Sequence, residues 1–527
     1  MKILVCDPIS ERGLAVLRSE AGVSVDVHLK KTEDELCAIV ADYEAVVVRS
    51  ETKITKKILE QAAKLKVVGR AGVGIDNIDV EAATQKGVVV VNTPDGNTIS
   101  AAELTMGMML AMARHIPQAD QSLRTGQWNR SKYVGVELHN KKLGIIGFGK
   151  IGSEVGRRSK AFGMEVIAYD PYMNAEAAKR AGIEAVELDK LLKESDIITV
   201  HMPLTSETKH LICKEQFAKM KDGVRLLNVA RGGIVDEQDL YEAIVGKKVA
   251  GAALDVYEKE PTTESPLFGL PEVIVTPHLG ASTEEAQVNV AIDVSHEILR
   301  VLRGEPVQNA VNIPFIKPEL RAVLEPYAVL TEKLGKLASC MAQGPIDDIE
   351  IRYVGEVATY DLGSLTNTFL KGLLRPALHE AVNYVNAPLV ARQRGIGVRE
   401  IKSAETEDYT NKVIVTIRGK NKWERSFAGT VFKNNEMRIL RIDQFSLDIQ
   451  PTGNLLIIQQ KDRPKLVGQI GMILGDYDIN IAGMQLDREE QGGNALMILT
   501  VDHPVPEDIM AKIAQVKDIQ SATYVAF

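Results

Sequence analysis

Twice before Pro277 the chain alternates short apolar runs with amphipathic stretches, and this alternation constrains the fold more than any other feature. The first series, KILVC, ERGLAVLRSE, EAVVVRS, KKILEQAAKLKVVGR and GVVVVN, ends near residue 95. The second, KLGIIGF, EVIAYD, DIITVHM, VRLLNVA, AGAALDV and VIVTPH, starts at Lys142. Strand-length runs separated by helical patterns predict parallel sheets covered by helices, an α/β architecture. The six strand-like runs of the second series suffice for a complete doubly wound domain. Between the two series, Asn97 to Arg114 reads as one long, mostly apolar helix, with Ser100 and Glu103 at capping-box spacing. A helix apolar on most sides must be buried.

At 527 residues the chain exceeds what one core supports; roughly 150 residues per domain gives about three or four. Its 45% hydrophobic and 25% charged residues are the proportions of a chain that can fill several cores. Residues 282–303 (STEEAQVNVAIDVSHEILRVLR) form an amphipathic helix ending at Gly304. The stretch GEPVQNAVNIPFIKP, with three prolines and no periodicity, then reads as a linker and puts a boundary near residue 315. A helix over 319–342, followed by the β-rich runs IDDIEIRYVGEV, NKVIVTIRG and RILRIDQFSLDI, predicts an α+β domain over 316–451. Residues 452–527 read β-α-β-β-α-β, the ferredoxin-like order, with Gly492 and Gly493 at the hairpin turn; a self-sufficient module is expected there.

The balance of 63 Lys+Arg against 71 Asp+Glu, a net charge of -8, argues against nucleic acid or an anionic membrane as partner. No stretch approaches the roughly 18 consecutive apolar residues of a membrane span, and MKILVCDPIS reads as a first buried strand rather than a leader. Cys6, Cys37, Cys213 and Cys340 are scattered, without a CxxC pair or a His cluster at ligand spacing. A reducing compartment, the cytoplasm, and no metal are the expectation.

Gly147-Phe148-Gly149-Lys150-Ile151-Gly152 follows the strand KLGII and opens a helix, the context a dinucleotide fingerprint requires. Gly147 permits the tight turn, Gly149 lets backbone approach a pyrophosphate, and Gly152 lets the helix pack on the sheet. Asp170 ends the next strand, 23 residues after Gly147, where an acid accepts hydrogen bonds from the ribose hydroxyls. Asp170 repels a 2′-phosphate and Pro171 and Tyr172 offer no compensating cation, so NAD is expected rather than NADP. The second glycine-rich run, Gly72-Val73-Gly74, lacks a third glycine and a matching acid, and is read equally well as a strand-to-helix turn.

Hydride transfer from a secondary alcohol needs a base for the hydroxyl proton, a cation for the neighbouring carboxylate and a group that orients the base. Three strand-end segments of the second series carry such groups: NVARGGIVDE with Arg231, LDVYEKEP with Glu260 and VTPHLGAS with His278. Together with GFGKIG and VHMPLT, these segments resemble the D-isomer-specific 2-hydroxyacid dehydrogenase family over residues 1 to about 313. The resemblance implies His278 as acid/base, Glu260 as its partner with Glu258 as a rival, and Arg231 as the group that orients the substrate. It also assigns Lys150, Ile151 and Asp255 to the cofactor site alongside the three glycines and Asp170. A split outer domain is implied, 1–97 with 282–315, into which the nucleotide domain 98–281 is inserted.

RAGVGIDN, GNTISAAELT and the two C-terminal domains resemble the branch of that family that carries an intervening domain and a C-terminal ACT domain. That branch oxidises 3-phospho-D-glycerate to 3-phosphohydroxypyruvate with NAD, the first step of L-serine biosynthesis. A phosphorylated substrate calls for cations in the cleft; Arg49 with Lys53 in VVRSETK, and Arg130 with Lys132 in WNRSK, are the candidates. The ACT resemblance implies paired C-terminal modules, a homodimer or homotetramer, and an effector site for L-serine at Asp462 in KDRP and Asn480 in INIAG. Two alternatives stand beside this reading. One is a glyoxylate or hydroxypyruvate reductase, which the appended domains count against; the other is a dehydrogenase-fold NAD-sensing binding protein.

Overall fold

The computed structural model describes residues 1–173, 178, 182–314, 316, 318–378, 382–405 and 409–527. The first series of runs forms a five-stranded sheet in the order Ser24–Val27, Lys2–Val5, Ala45–Val48, Val67–Arg70, Val89–Val91, parallel throughout. Its inner strands are buried on both faces, as their unbroken valine-rich sequences require. One face is closed from far along the chain, by the helix Glu284–Arg303. Val290, Val294 and Ile298 of that helix join Val5, Val47, Val67 and Val89 in one core. The approach is close: a Cβ at Gly69 would lie 2.6 Å from Ile298 Cδ1, and one at Gly13 2.7 Å from Ala291 Cβ. Thr283 caps the helix start by accepting from the Ala286 N–H, and Gly304, at φ 73°, ends it.

The second series forms a seven-stranded parallel sheet in the order Val273–Val275, Val249–Leu254, Val224–Asn228, Ile197–Val200, Lys142–Ile146, Glu165–Tyr169, Glu184–Ala185. The sequence shows six of these; the seventh has two exposed residues, too few for any periodicity. Strand order reverses between Lys142–Ile146 and Ile197–Val200, which opens a crevice at the carboxyl ends of those strands. The crossover helix spans Thr98–Arg114 and is only partly buried, against the expectation: Ala102, Met106, Met109 and Ala113 face the core, while Ile99, Glu103, Gly107 and Arg114 are exposed. The capping box expected at Ser100 and Glu103 does not form. The helix begins two residues earlier, so Ser100 lies inside its first turn, buried and with its hydroxyl unpaired.

Beyond the linker, a six-stranded mixed sheet runs Gly397–Ser403, Ile346–Gly355, Asn411–Gly419, Glu424–Val431, Met437–Ile442, Phe445–Ile449. The helices Arg321–Met341 and Gly363–Leu378 pack on it and touch backbone to backbone; a Cβ at Gly335 would fall 2.2 Å from the Phe369 carbonyl oxygen. The last domain is a four-stranded antiparallel sheet, Ile481–Arg488, Asn494–Val501, Asn454–Lys461, Ile519–Ala526, under the helices Leu466–Gly475 and Glu507–Ala514.

That last domain is not the self-sufficient module expected from its sequence. Leu456, Ile458, Met497 and Leu499 lie beneath its own helices. On the other face of the sheet, Leu455, Ile457, Leu496, Ile498 and Val525 merge with the core of the preceding domain. The join is also polar. Asp487 accepts from the Ser446 N–H at 2.8 Å, Gln485 from the Asp448 N–H at 2.9 Å, and the buried Arg425 donates to Gln459 Oε1 at 3.2 Å. The strands are apolar on alternate residues of both faces, so sequence periodicity alone hides that the second face needs a partner. Ile457→Ala is expected to destabilise the full chain by about 2–5 kcal/mol, as at a core position. Urea unfolding measures this; a loss no greater than at an exposed site would mean that the two domains do not share a core.

Candidate active site

The glycine-rich turn sits at the reversal of strand order. Gly147, at φ 95°, passes so close to the next strand that a Cβ there would lie 2.7 Å from the His201 carbonyl carbon. A Cβ at Gly152 would fall 2.1 Å from the Gly147 carbonyl oxygen, whereas at Gly149 it would meet nothing within 4 Å. Gly149 therefore borders open space at the start of the helix Lys150–Ala161, whose first N–H groups have no intrahelical acceptor. Asp170 lies across the turn and accepts from the N–H groups of Phe148 at 2.9 Å and Tyr172 at 2.8 Å. Ile151 packs against the domain core, and Lys150 reaches over to pair with Asp95 at the hinge. An open cradle, a helix N-terminus and a fixed acid are what a dinucleotide requires. The run Gly72-Val73-Gly74 serves another purpose. A Cβ at Gly72 would lie 2.4 Å from Arg70 Nη1, and one at Gly74 2.3 Å from Arg231 Nη2, so these glycines make room for two guanidinium groups.

Three loops at the carboxyl ends of neighbouring strands meet beside this crevice. His278 Nδ1 lies 2.6 Å from Glu260 Oε2, and Glu260 Oε1 accepts from the Tyr257 N–H at 2.9 Å. Burial works to raise the Glu260 carboxyl, but the hydrogen bonds from His278 and Tyr257 and the charge of Arg231 outweigh it and hold the group below its ordinary range. Glu258 points elsewhere, accepting from the Glu237 N–H at 3.3 Å and lying 3.3 Å from His210 Nε2. Asp255 is fully buried and accepts from Thr276 Oγ1 at 2.6 Å and from the N–H groups of Leu279 and Gly280 at 2.7 and 2.9 Å. Its oxygens thus hold the loop that carries His278. Gly232 lets the arginine loop approach the acid loop, since a Cβ there would lie 1.8 Å from the Tyr257 carbonyl oxygen. Arg231 donates to the Ala230 carbonyl at 2.7 Å and faces Asp76 of the outer lobe at 3.6 Å.

The cations named for a phosphate do not gather at one point. The Arg49 backbone N–H is held by Asp7 at 2.6 Å and its side chain donates to the Pro8 carbonyl at 3.3 Å. Lys53 lines a separate polar depression with Lys30 and Lys31. Arg130 lies exposed in the turn Arg130–Tyr133, close in sequence to the exposed Trp128. Sequence reasoning missed Arg70. Burial, the like charge of Arg231 and, more weakly, that of Arg49 lower its pKa to about 10, and its Nε is sealed from solvent without an acceptor. The available signal was its place at the carboxyl end of a parallel strand, immediately before the glycine run.

In the C-terminal domain, Asp462 accepts from Arg488 Nη1 at 2.7 Å and from the Gly492 N–H at 3.1 Å, and these donors hold its carboxyl below the usual range. Asn480 donates to Asp502 Oδ2 at 2.8 Å.

Comparison with known proteins fits this geometry. The family model described as D-isomer specific 2-hydroxyacid dehydrogenase, NAD binding domain matches residues 106–280. The D-3-phosphoglycerate dehydrogenase intervening domain matches 323–443, and the ACT domain 454–518. D-3-phosphoglycerate dehydrogenase of Methanocaldococcus jannaschii is 46% identical over 526 residues, covering 100% of this chain and 99% of its own length. That of Bacillus subtilis is 44% identical over 521 residues, 99% and 98% of the two chains. Among solved structures, D-lactate dehydrogenase from Aquifex aeolicus complexed with NAD and lactic acid is 29% identical, with a TM-score of 0.52, and covers 58% of this chain and 96% of its own. Three domain matches in order and full-length relatives of this similarity lead to one conclusion: the chain belongs to the D-isomer specific 2-hydroxyacid dehydrogenase family, in the D-3-phosphoglycerate dehydrogenase branch that carries an intervening and an ACT domain.

Proposed function

We propose that this chain oxidises 3-phospho-D-glycerate to 3-phosphohydroxypyruvate, the first step of L-serine biosynthesis. The observation that carries the reading is the approach of Arg231, beside the His278–Glu260 pair, to the outer-lobe run Gly72-Val73-Gly74, which also makes room for Arg70, with Arg49 contributing charge from the same lobe. A simple 2-hydroxy acid has one carboxylate and needs one such cation; a phosphorylated one has a second, more highly charged end. Bound NAD supplies the hydride acceptor. With Nδ1–H donated to Glu260, the His278 Nε2 lone pair is free to take the C2 hydroxyl proton as C2 gives up its hydride. Glu260, kept ionised, stabilises the imidazolium that results. Arg231 holds the carboxylate next to C2, while Arg49 and Arg70 serve the phosphate from the outer lobe. Asp170 bonds the adenine ribose, and the turn at Gly147, Gly149 and Gly152 accommodates the pyrophosphate with Lys150 at its rim.

The chain acts, in this reading, as a cytoplasmic homo-oligomer, a dimer or tetramer. All four cysteines are free, and among the described residues no helix is long and apolar enough to cross a membrane. Ile116, Leu123, Trp128 and Val134, large apolar side chains in the stretch that carries Arg130, are more than half exposed, Trp128 and Val134 at 77%, which favours a second copy as their cover. L-serine is the proposed effector, bound between paired ACT domains with its ammonium at Asp462 and a polar contact from Asn480.

His278→Ala should lower kcat by roughly 10²-fold or more while NAD affinity holds, in steady-state and fluorescence measurements. Glu260→Gln removes the charge that favours the imidazolium, so the acid limb of the oxidation profile should move to lower pH; an unmoved limb would remove Glu260 from its role. Arg49→Ala should weaken phosphoglycerate far more than an unphosphorylated 2-hydroxy acid, whereas Arg231→Ala should weaken both; equal losses in the first variant would defeat the phosphate assignment. Asp170→Ala should narrow the preference for NAD over NADP, and comparable affinities in the unaltered chain would show that the acid does not read the ribose. Serine titrated calorimetrically into the full chain should bind and slow turnover, with both effects lost in Asn480→Ala; absence of heat would leave the paired domains as an assembly element.

A further inference from the structure

A cavity of about 540 Å³ separates the outer lobe of the catalytic unit from the intervening domain and shares no lining residue with the cleft that holds His278. Such a volume is that of a small-molecule site. Leu65, Val89 and Val307 on one side and Ile316 and Ala328 on the other give it a mainly apolar wall. Into that wall comes Arg321, from the first turn of the helix Arg321–Met341. Its Nε and Nη2 are sealed from solvent, and among the described residues no acceptor meets them. The Ser364 hydroxyl, also in the wall, is equally buried and unpartnered. Unpaired buried donors are rare in folded proteins because each forfeits its hydration without recompense, and a guanidinium forfeits more than a neutral group. Among the described residues of the wall the remaining charges are balanced, Lys66 and Lys86 against Glu305 and Glu325, and Glu305 is already engaged by Arg303 at 3.6 Å. Arg321 is therefore the surplus cation.

We propose that this cavity binds a small organic oxyanion, a carboxylate or phosphate on an apolar body, held by Arg321 and Ser364. A planar guanidinium matches either head group bidentately, and the aliphatic walls accept the body. Because the walls belong to two domains, an occupant ties the intervening domain, and the ACT domain fused to its core, to the outer lobe of the catalytic unit. The site lies where a metabolite would influence how those bodies sit against one another, separately from any ligand between paired ACT domains.

The test is calorimetric titration of the full chain with benzoate, phenyl phosphate and the neutral benzamide at millimolar concentrations. At least one of the two anions should give saturable heat and benzamide none, and the stronger anion identifies the head group. Arg321→Gln should weaken that binding roughly tenfold or more, the worth of a charge-assisted hydrogen bond. Ala328→Phe keeps the cation but fills the cavity, and should abolish binding; Ser364→Ala provides a milder change should either variant fold poorly, and should weaken binding measurably. Heat unchanged in Arg321→Gln would place the anion on the arginines of the catalytic cleft and overturn the proposal. So would equal binding of benzamide, or no heat from either anion.

Discussion

A carboxylate with no access to water holds the chemistry of this molecule in place. Asp255 sits at the end of an inner strand of the nucleotide sheet, and burial raises its pKa. Such a group survives as an anion only if its lone pairs are spent, and here they are spent on a threonine hydroxyl and two successive backbone N–H groups of the next strand-end loop. Its own carbonyl takes the His278 N–H at 2.9 Å, with His278 at φ 55°, a conformation that a side chain seldom adopts unaided. Everything that follows in the site depends on this fixation. Glu260 can meet the imidazole at 2.6 Å because the imidazole does not wander, and Gly232 brings Arg231 to the same spot by removing the only atom in the way.

What the sequence made legible follows from how directly each feature is encoded. The glycine turn and the strand-end histidine, acid and arginine are local, and the parallel sheets announce themselves in unbroken valine runs. Arg70 was harder to see because a strand-end position before a glycine run does not by itself mark a site; its significance comes from the charges of Arg231 and Arg49, which belong to other strand ends. The Ser100–Glu103 spacing misled for a related reason. A capping box needs its serine at the helix boundary, and here the boundary is Asn97, which makes no side-chain capping bond, so Ser100 already lies within the first turn. Asp462 and Asn480 stood out by position, yet their present partners, Arg488 at the end of one strand and Asp502 just beyond another, could not be named from pattern.

The shared core of the last two domains changes how a signal from the C-terminus must travel. An ACT domain on a flexible tether senses a ligand and then has to find its target. In this chain its sheet is sandwiched between its own helices and the intervening domain, with Arg425 bonded across the join and paired with Asp443 at 3.2 Å. The last two domains are then one packed body, and a signal passing between the ACT domain and the catalytic unit would have to cross the seam between that body and the outer lobe. Asn383 already crosses that seam, donating to the Gly87 carbonyl at 2.8 Å.

The discontinuity of the outer lobe also sets a timetable for biosynthesis. Its sheet is complete once Val91 has been made, but one face of that sheet waits for Val290, Val294 and Ile298. About two hundred residues must be translated in between, which at 5–20 residues per second takes roughly 10 to 40 seconds. Throughout that interval the nascent chain carries a valine-lined surface, Gly69 included, that only the short helix Glu11–Arg18 partly covers, through Leu14 and Leu17. The inserted nucleotide domain has its whole sheet encoded before that helix emerges, so it is free to fold first and hold the unfinished lobe close to the segment that will close it.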